Sequence, residues 1–187
     1  LGKKYVEIIL SGDTYDDAKH AAIKFTQKEN KIFVAPFDHK LIIEGQGTVA
    51  AEILEQIGKK KIDYIFVPIG GGGRAAGVIS YFKEFSPTTK IIGVEPQGAP
   101  AMVESMKKNK VITLDKIDSF VDGAAVKQVG YHTLPICKKG LEDIALVPEG
   151  KVCTKILQLY NNDAIVVEPA GVLSIAALDF YKEQIKG

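Results

Sequence analysis

Four consecutive glycines, Gly70, Gly71, Gly72 and Gly73, follow the apolar run YIFVPI and lead into the alanine-rich stretch RAAGVIS. Glycine costs conformational entropy and packs nothing, so four together serve something other than stability. In a loop that leaves a parallel strand and enters a helix, bare N–H groups and the helix dipole converge on an anion, above all a phosphate. The bland alternative is a flexible turn with no ligand. Further chemistry-bearing residues are Glu95 at the end of the next apolar run, Asp122 and Gly123 in VDGAAV, and Glu168 in VEPAG. Glu168 also suits the first turn of a helix, where the dipole favours an acid, and Asp122 suits a cap. His20, His39 and His132 are dispersed, with no carboxylate or cysteine spacing of a metal site. They read as solvated or structural.

Two nucleotide motifs compete for the glycine run and both fit poorly. A Walker loop needs Gly-Lys followed by Ser or Thr, and Arg74, Ala75 and Ala76 stand there instead. The dinucleotide fingerprint GxGxxG fails in the phase starting at Gly70, because Ala75 occupies the third glycine position. A nucleotide-binding α/β module remains the alternative from another binding class.

The elements around these residues follow from periodicity. Short apolar runs at 5–10, 32–35, 64–67, 90–94, 144–147 and 164–169 read as strands. Helical patterns fall over the segment starting at Asp13 as N-cap, over 45–60 with Gly58 as stop, and over 75–85. Others cover 101–107, a stretch ending at Lys139, 149–162 and 170–184. Strands alternating with helices imply parallel pairing through crossovers and a sheet covered on both faces, an α/β/α three-layer fold. The stretch 36–45 is the best candidate for a lobe boundary.

At 187 residues, with 46% hydrophobic and 25% charged side chains, the composition is that of a soluble globular chain. Lys and Arg (24) balance Asp and Glu (23), with short basic clusters only at 59–61 and 107–110, which points away from a nucleic-acid partner or a polybasic membrane surface. No apolar run reaches the roughly 18 residues of a membrane span. Cys137 and Cys153 form no CxxC pattern and read as packing residues of a cytoplasmic protein. With Leu1 running almost directly into a strand pattern, the chain is expected to begin in mid-fold.

Taken in order, GQGTVAAEI, VPIGGGGRAAG, GVEP, VDGAAV and VEPAG resemble the second half of the threonine dehydratases, pyridoxal-phosphate ammonia-lyases of fold type II, the tryptophan-synthase β fold. The resemblance covers essentially the whole chain. It implies that Gly70, Gly71, Gly72 and Gly73 wrap the cofactor phosphate, with Arg74 where the family usually has Leu or Met. It implies Gly123 beside the cofactor ring and Glu168 near the ring's edge. Glu95 matches a divalent-cation ligand of the racemase relatives, but the partner acid expected six residues on is Ala101, so no metal site is expected. Residues 1–36 would be the end of the small lobe and 37–187 part of the large, cofactor-binding lobe.

The implied activity is dehydration of L-threonine to 2-oxobutanoate and ammonia on the way to isoleucine, by a cytoplasmic homodimer or homotetramer. Serine dehydratase and serine racemase share most of the shorter motifs and stay as alternatives. The family's Schiff-base lysine lies in a Ser-Phe-Lys segment upstream of Leu1, and its SGGN segment lies beyond Gly187. The 187 residues alone are therefore expected to hold the phosphate without performing the chemistry. Lys127, close to the cofactor turn in sequence, carries no sign of activation.

Overall fold

The computed structural model describes residues 5–185. The chain divides into two compact units, Leu1–Val34 and Ala35–Gly187.

In the first unit, one helix, α1 (Tyr15–Lys28), starts at a capping box. Thr14 Oγ1 accepts from Asp17 N–H at 3.2 Å, and the Asp17 carboxylate accepts from Thr14 N–H at 3.1 Å. The cap is Thr14, not the expected Asp13: Thr14 has the extended backbone of an N-cap, and its hydroxyl is the one that accepts from the helix's third N–H. The strands expected at 5–10 and 32–35 are not formed. A strand is defined by its neighbour, and no segment among the described residues pairs with either; Ile8, Leu10, Ile32 and Val34 stay exposed.

The second unit opens with α2 (Lys40–Ile57), which begins five residues before the expected start because His39 Nδ1 accepts from Leu41 N–H. Gly58, at φ 65°, ends it. Then come β1 (Tyr64–Pro68), α3 (Gly73–Phe85), β2 (Lys90–Pro96), α4 (Ala101–Lys107), α5 (Thr133–Gly140), β3 (Asp143–Val147), α6 (Glu149–Asp163) and α7 (Pro169–Leu178). The three strands form a parallel sheet in the order β1-β2-β3, with Val67 opposite Gly93 and Gly93 opposite Ile144. Right-handed crossovers through helices are the ordinary way to join such strands.

Alternation along β2 sorts the two faces. Ile92 and Val94 join Ala145 and Val147 of β3 and Leu173, Ala176 and Ala177 of α7 in one buried cluster. Tyr181 closes its end, donating a 2.6 Å hydrogen bond to Asp143. Glu95 lies on the other face, at the start of α4. The unit is a parallel α/β structure with helices on both sides of its sheet, as the sequence pattern required.

One further expected strand fails. Ala164, at φ 54°, ends α6 in a left-handed turn, and 165–168 forms no strand, with Ile165 and Val166 exposed. Its apolar composition was read correctly, but composition cannot supply a neighbouring strand.

Candidate functional site

Ile69 N–H donates to the Val94 carbonyl at 2.8 Å, carrying the β1–β2 ladder up to the edge of the glycine run. The backbone then reverses at Gly72, whose φ of 94° is natural only to glycine. The first intrahelical bond of α3 runs from Ala76 N–H to the Gly72 carbonyl at 2.8 Å. The N–H groups of Gly73, Arg74 and Ala75 are therefore the unsatisfied donors of that helix start, and no side chain caps them. Together with the helix dipole they offer an anion a set of donors, and no acid sits in the first turn to compete.

The reason for bare α-carbons differs from the one the sequence suggests. A Cβ on Gly71 would lie 2.4 Å from the Phe37 ring, one on Gly72 would lie 2.7 Å from Thr133 Oγ1, and one on Gly73 would lie 2.8 Å from Phe37 Cβ. The α-carbons face protein, which leaves the peptide groups to face a ligand. Arg74 is exposed between buried neighbours, so its side chain lies at the surface while its N–H belongs to the donor set.

The second expected cluster assembles beside the first. A Cβ on Gly70 would meet Ala124 at 3.2 Å, so the glycine run touches the VDGAAV turn. In that turn a Cβ on Gly123 would lie 2.9 Å from Ala170 and 3.5 Å from Glu168 Oε1. Glu168 is the N-cap residue of α7, exposed, with Pro169 following and no side-chain cap bond. Its carboxylate is thus directed along the Gly123 turn. Asp122 accepts from Gly123 N–H at 2.8 Å, a contact within the turn; no helix starts there for it to cap. The glycine run thus adjoins the VDGAAV turn, and Gly123 of that turn adjoins Glu168, which lies 98 positions after Gly70 in sequence.

Three residues that the motifs did not single out hold the glycine run and the segment beside it. Asp38 accepts from Tyr131 N–H and His132 N–H, both at 2.8 Å, with His132 Nδ1 at 3.3 Å. Thr133 Oγ1 donates to the Gly71 carbonyl at 2.7 Å and is fully buried. Phe37 packs on Gly71 and Gly73. Asp38 lies 93 residues before Tyr131, so no local pattern could have marked the pair.

Glu95 does not join the site. Its fully buried carboxylate accepts from Met102 N–H at 2.7 Å and Val103 N–H at 2.9 Å, fixing the start of α4. No group of three or more His, Cys, Asp or Glu among the described residues could hold a metal ion. Burial pushes the Glu95 carboxyl up to about 8; the two backbone hydrogen bonds oppose this and Glu104 adds to it. Burial, and then Glu95 itself, pushes the neighbouring Cys137 thiol up to about 12. A carboxyl whose folded pKa lies above its unfolded value stabilises the fold fully below the unfolded pKa and loses that contribution as pH rises through the folded one. Stability should therefore fall between about pH 5 and 8, and Glu95→Gln should flatten that slope in denaturant titrations taken across this range.

The two largest described cavities lie elsewhere. One, of about 630 Å³, is lined by Ile79, Ser80 and Lys83 of α3 and by residues of α5. The other, of about 580 Å³, lies at the N-terminal ends of β1 and β2 around Lys61, Tyr64 and Lys90. An anion cradle made of backbone donors is a surface rather than a deep cavity, so this separation does not count against it.

The chain is thus a parallel α/β protein with an uncapped helix start at the carboxyl edge of its sheet, the place where such folds take ligands. The family model for pyridoxal-phosphate dependent enzymes matches residues 1–187, and the chain belongs to that family. Among curated proteins it is 60% identical, over its whole length, to the biosynthetic L-threonine dehydratase IlvA of Halalkalibacterium halodurans, and 53% identical to that of Bacillus subtilis. It spans 45% and 44% of their lengths, less than half of each. Among solved structures, the processed form of threonine deaminase isoform 2 from Solanum lycopersicum superposes with a TM-score of 0.87 at 37% identity, covering 96% of this chain and 52% of that one.

Proposed function

We propose that this chain supplies the cofactor-phosphate cradle of a threonine dehydratase, which converts L-threonine to 2-oxobutanoate and ammonia. The observation that carries the reading is the start of α3, where Gly72 turns the chain at φ 94° and three N–H groups are left without intrahelical partners. The donor set suits pyridoxal phosphate: a dianionic phosphate matches backbone donors and a helix dipole, and the uncapped first turn offers no rival anion. The N–H groups of Gly70, Gly71, Gly72, Gly73 and Arg74 would hold the phosphate. Gly123 would lie beside the ring and Glu168 near its edge, two residues that the fold brings together. When bound, the cofactor supplies an electron sink for the charge left by a departing α-proton.

Residues 1–36 are read as the end of the small lobe and 37–187 as part of the large one. The 60% identity to a biosynthetic L-threonine dehydratase supports the reading of threonine rather than serine as substrate, with isoleucine formation as its setting. The family's Ser-Phe-Lys segment does not occur in these residues, so the isolated chain is expected to bind phosphate without turnover. Cytoplasmic location and a homodimer or homotetramer belong to the same reading.

The full-length protein, loaded with pyridoxal phosphate, should form 2-oxobutanoate from L-threonine faster than pyruvate from L-serine. Borohydride reduction should then fix the cofactor on a lysine outside residues 1–187. A thermal midpoint raised by NAD or ATP, with no response to pyridoxal phosphate, would instead support the nucleotide-binding module.

A further inference from the structure

Resting on the phosphate reading, we infer that Thr133 is a positioning residue, which sets the direction of the Gly72 N–H through the carbonyl of Gly71. The Gly71–Gly72 peptide is flanked by glycines on both sides, so rotating it costs little sterically and something outside the loop must hold it. The Thr133 hydroxyl does so, donating to the Gly71 carbonyl at 2.7 Å; Gly130 N–H supports the same oxygen at 3.1 Å. Gly130 N–H also reaches Thr133 Oγ1 at 3.1 Å, tying both holds into one network. No described peptide bond is cis. In a trans peptide the C=O and N–H point in opposite directions. With the Gly71 carbonyl drawn inward onto buried Thr133, the Gly72 N–H is turned outward, beside the free donors of Gly73, Arg74 and Ala75.

The network is anchored from the far side as well. Asp38 accepts from the N–H groups of Tyr131 and His132, the two residues before Thr133, and so fixes the start of α5 against the segment preceding α2. Phe37, next in sequence to Asp38, fills the space beside the α-carbons of Gly71 and Gly73. Thr133 therefore acts on the phosphate through a peptide group, without touching it.

The test compares pyridoxal phosphate with pyridoxal, which lacks the phosphate, in equilibrium binding to the full-length protein. Thr133→Val keeps the shape and removes the hydroxyl; it should weaken pyridoxal phosphate roughly 10-fold or more while leaving pyridoxal nearly unchanged, the size of one charge-assisted hydrogen bond. Thr133→Ser should restore most of the difference. If the valine variant does not fold, Thr133→Cys, a weak donor of similar size, takes its place. A wild-type phosphate preference that the valine or cysteine variant leaves intact overturns the inference and spares the phosphate site. Equal weakening of both ligands makes Thr133 a merely structural residue and overturns it too. A wild type that binds both ligands alike overturns the phosphate reading itself, and the inference with it.

Discussion

Gly77→Ala should be among the most destabilising single substitutions in the chain, lowering the thermal midpoint by roughly 10 °C. Helices α2 and α3 cross with their backbones in contact at this glycine. A Cβ there would lie 2.4 Å from the Ile43 carbonyl oxygen, 2.6 Å from Gly47 N and 2.8 Å from Gln46 C. All three are main-chain atoms inside α2, so relief requires moving a whole helix, and overpacking of that kind costs about 3 kcal/mol. Since α3 begins at the glycine run, a displaced α3 also misplaces the phosphate donors. Gly45→Ala is the control: it sits in α2, the partner helix, is exposed, and has nothing within 4 Å of its Cβ position. Removing that glycine should stabilise α2 by up to about 1 kcal/mol. Urea titrations of the two variants check both signs, and equal midpoints for the pair would refute the packing argument.

The second large effect falls on binding. Gly72→Ala should weaken pyridoxal phosphate roughly 100-fold, with a far smaller change for pyridoxal. At φ 94° an L side chain is strained by about 1 to 2 kcal/mol, and the new Cβ would also press on Thr133 Oγ1 at 2.7 Å and Met102 Cε at 2.8 Å. The Met102 side chain can shift; buried Thr133 cannot do so without releasing the Gly71 carbonyl. Relaxing the strain therefore rotates the peptides whose N–H groups face the anion, and more than one donor is lost together. Titration of both ligands into the variant separates this from general damage, which would weaken the two alike.

The glycine run and the alternation of strand and helix were legible because each rests on local physics, whereas GQGTVAAEI and VEPAG carried meaning through the resemblance. Glycine marks where a backbone must come close or turn left-handed, and periodicity marks which face is buried. On those grounds β1, β2, β3 and most helices were found to within a few residues. The segments at 5–10, 32–35 and 164–169 were misread as strands for a reason equally physical: β-structure depends on a partner, and apolar composition records only that burial is wanted.

By itself the sequence determined the α/β class and marked the glycine run at the end of a strand, because these depend on residue type and short spacing. Only the tertiary structure decided why the glycines are bare, through Phe37, Thr133 and Met102. It alone turned Glu95 from a possible cation ligand into the anchor of α4, and brought Asp38 to Tyr131 and Thr133 to Gly71. Those contacts join residues 7 to 93 positions apart, and such pairings are fixed by packing, which no local stretch of sequence encodes.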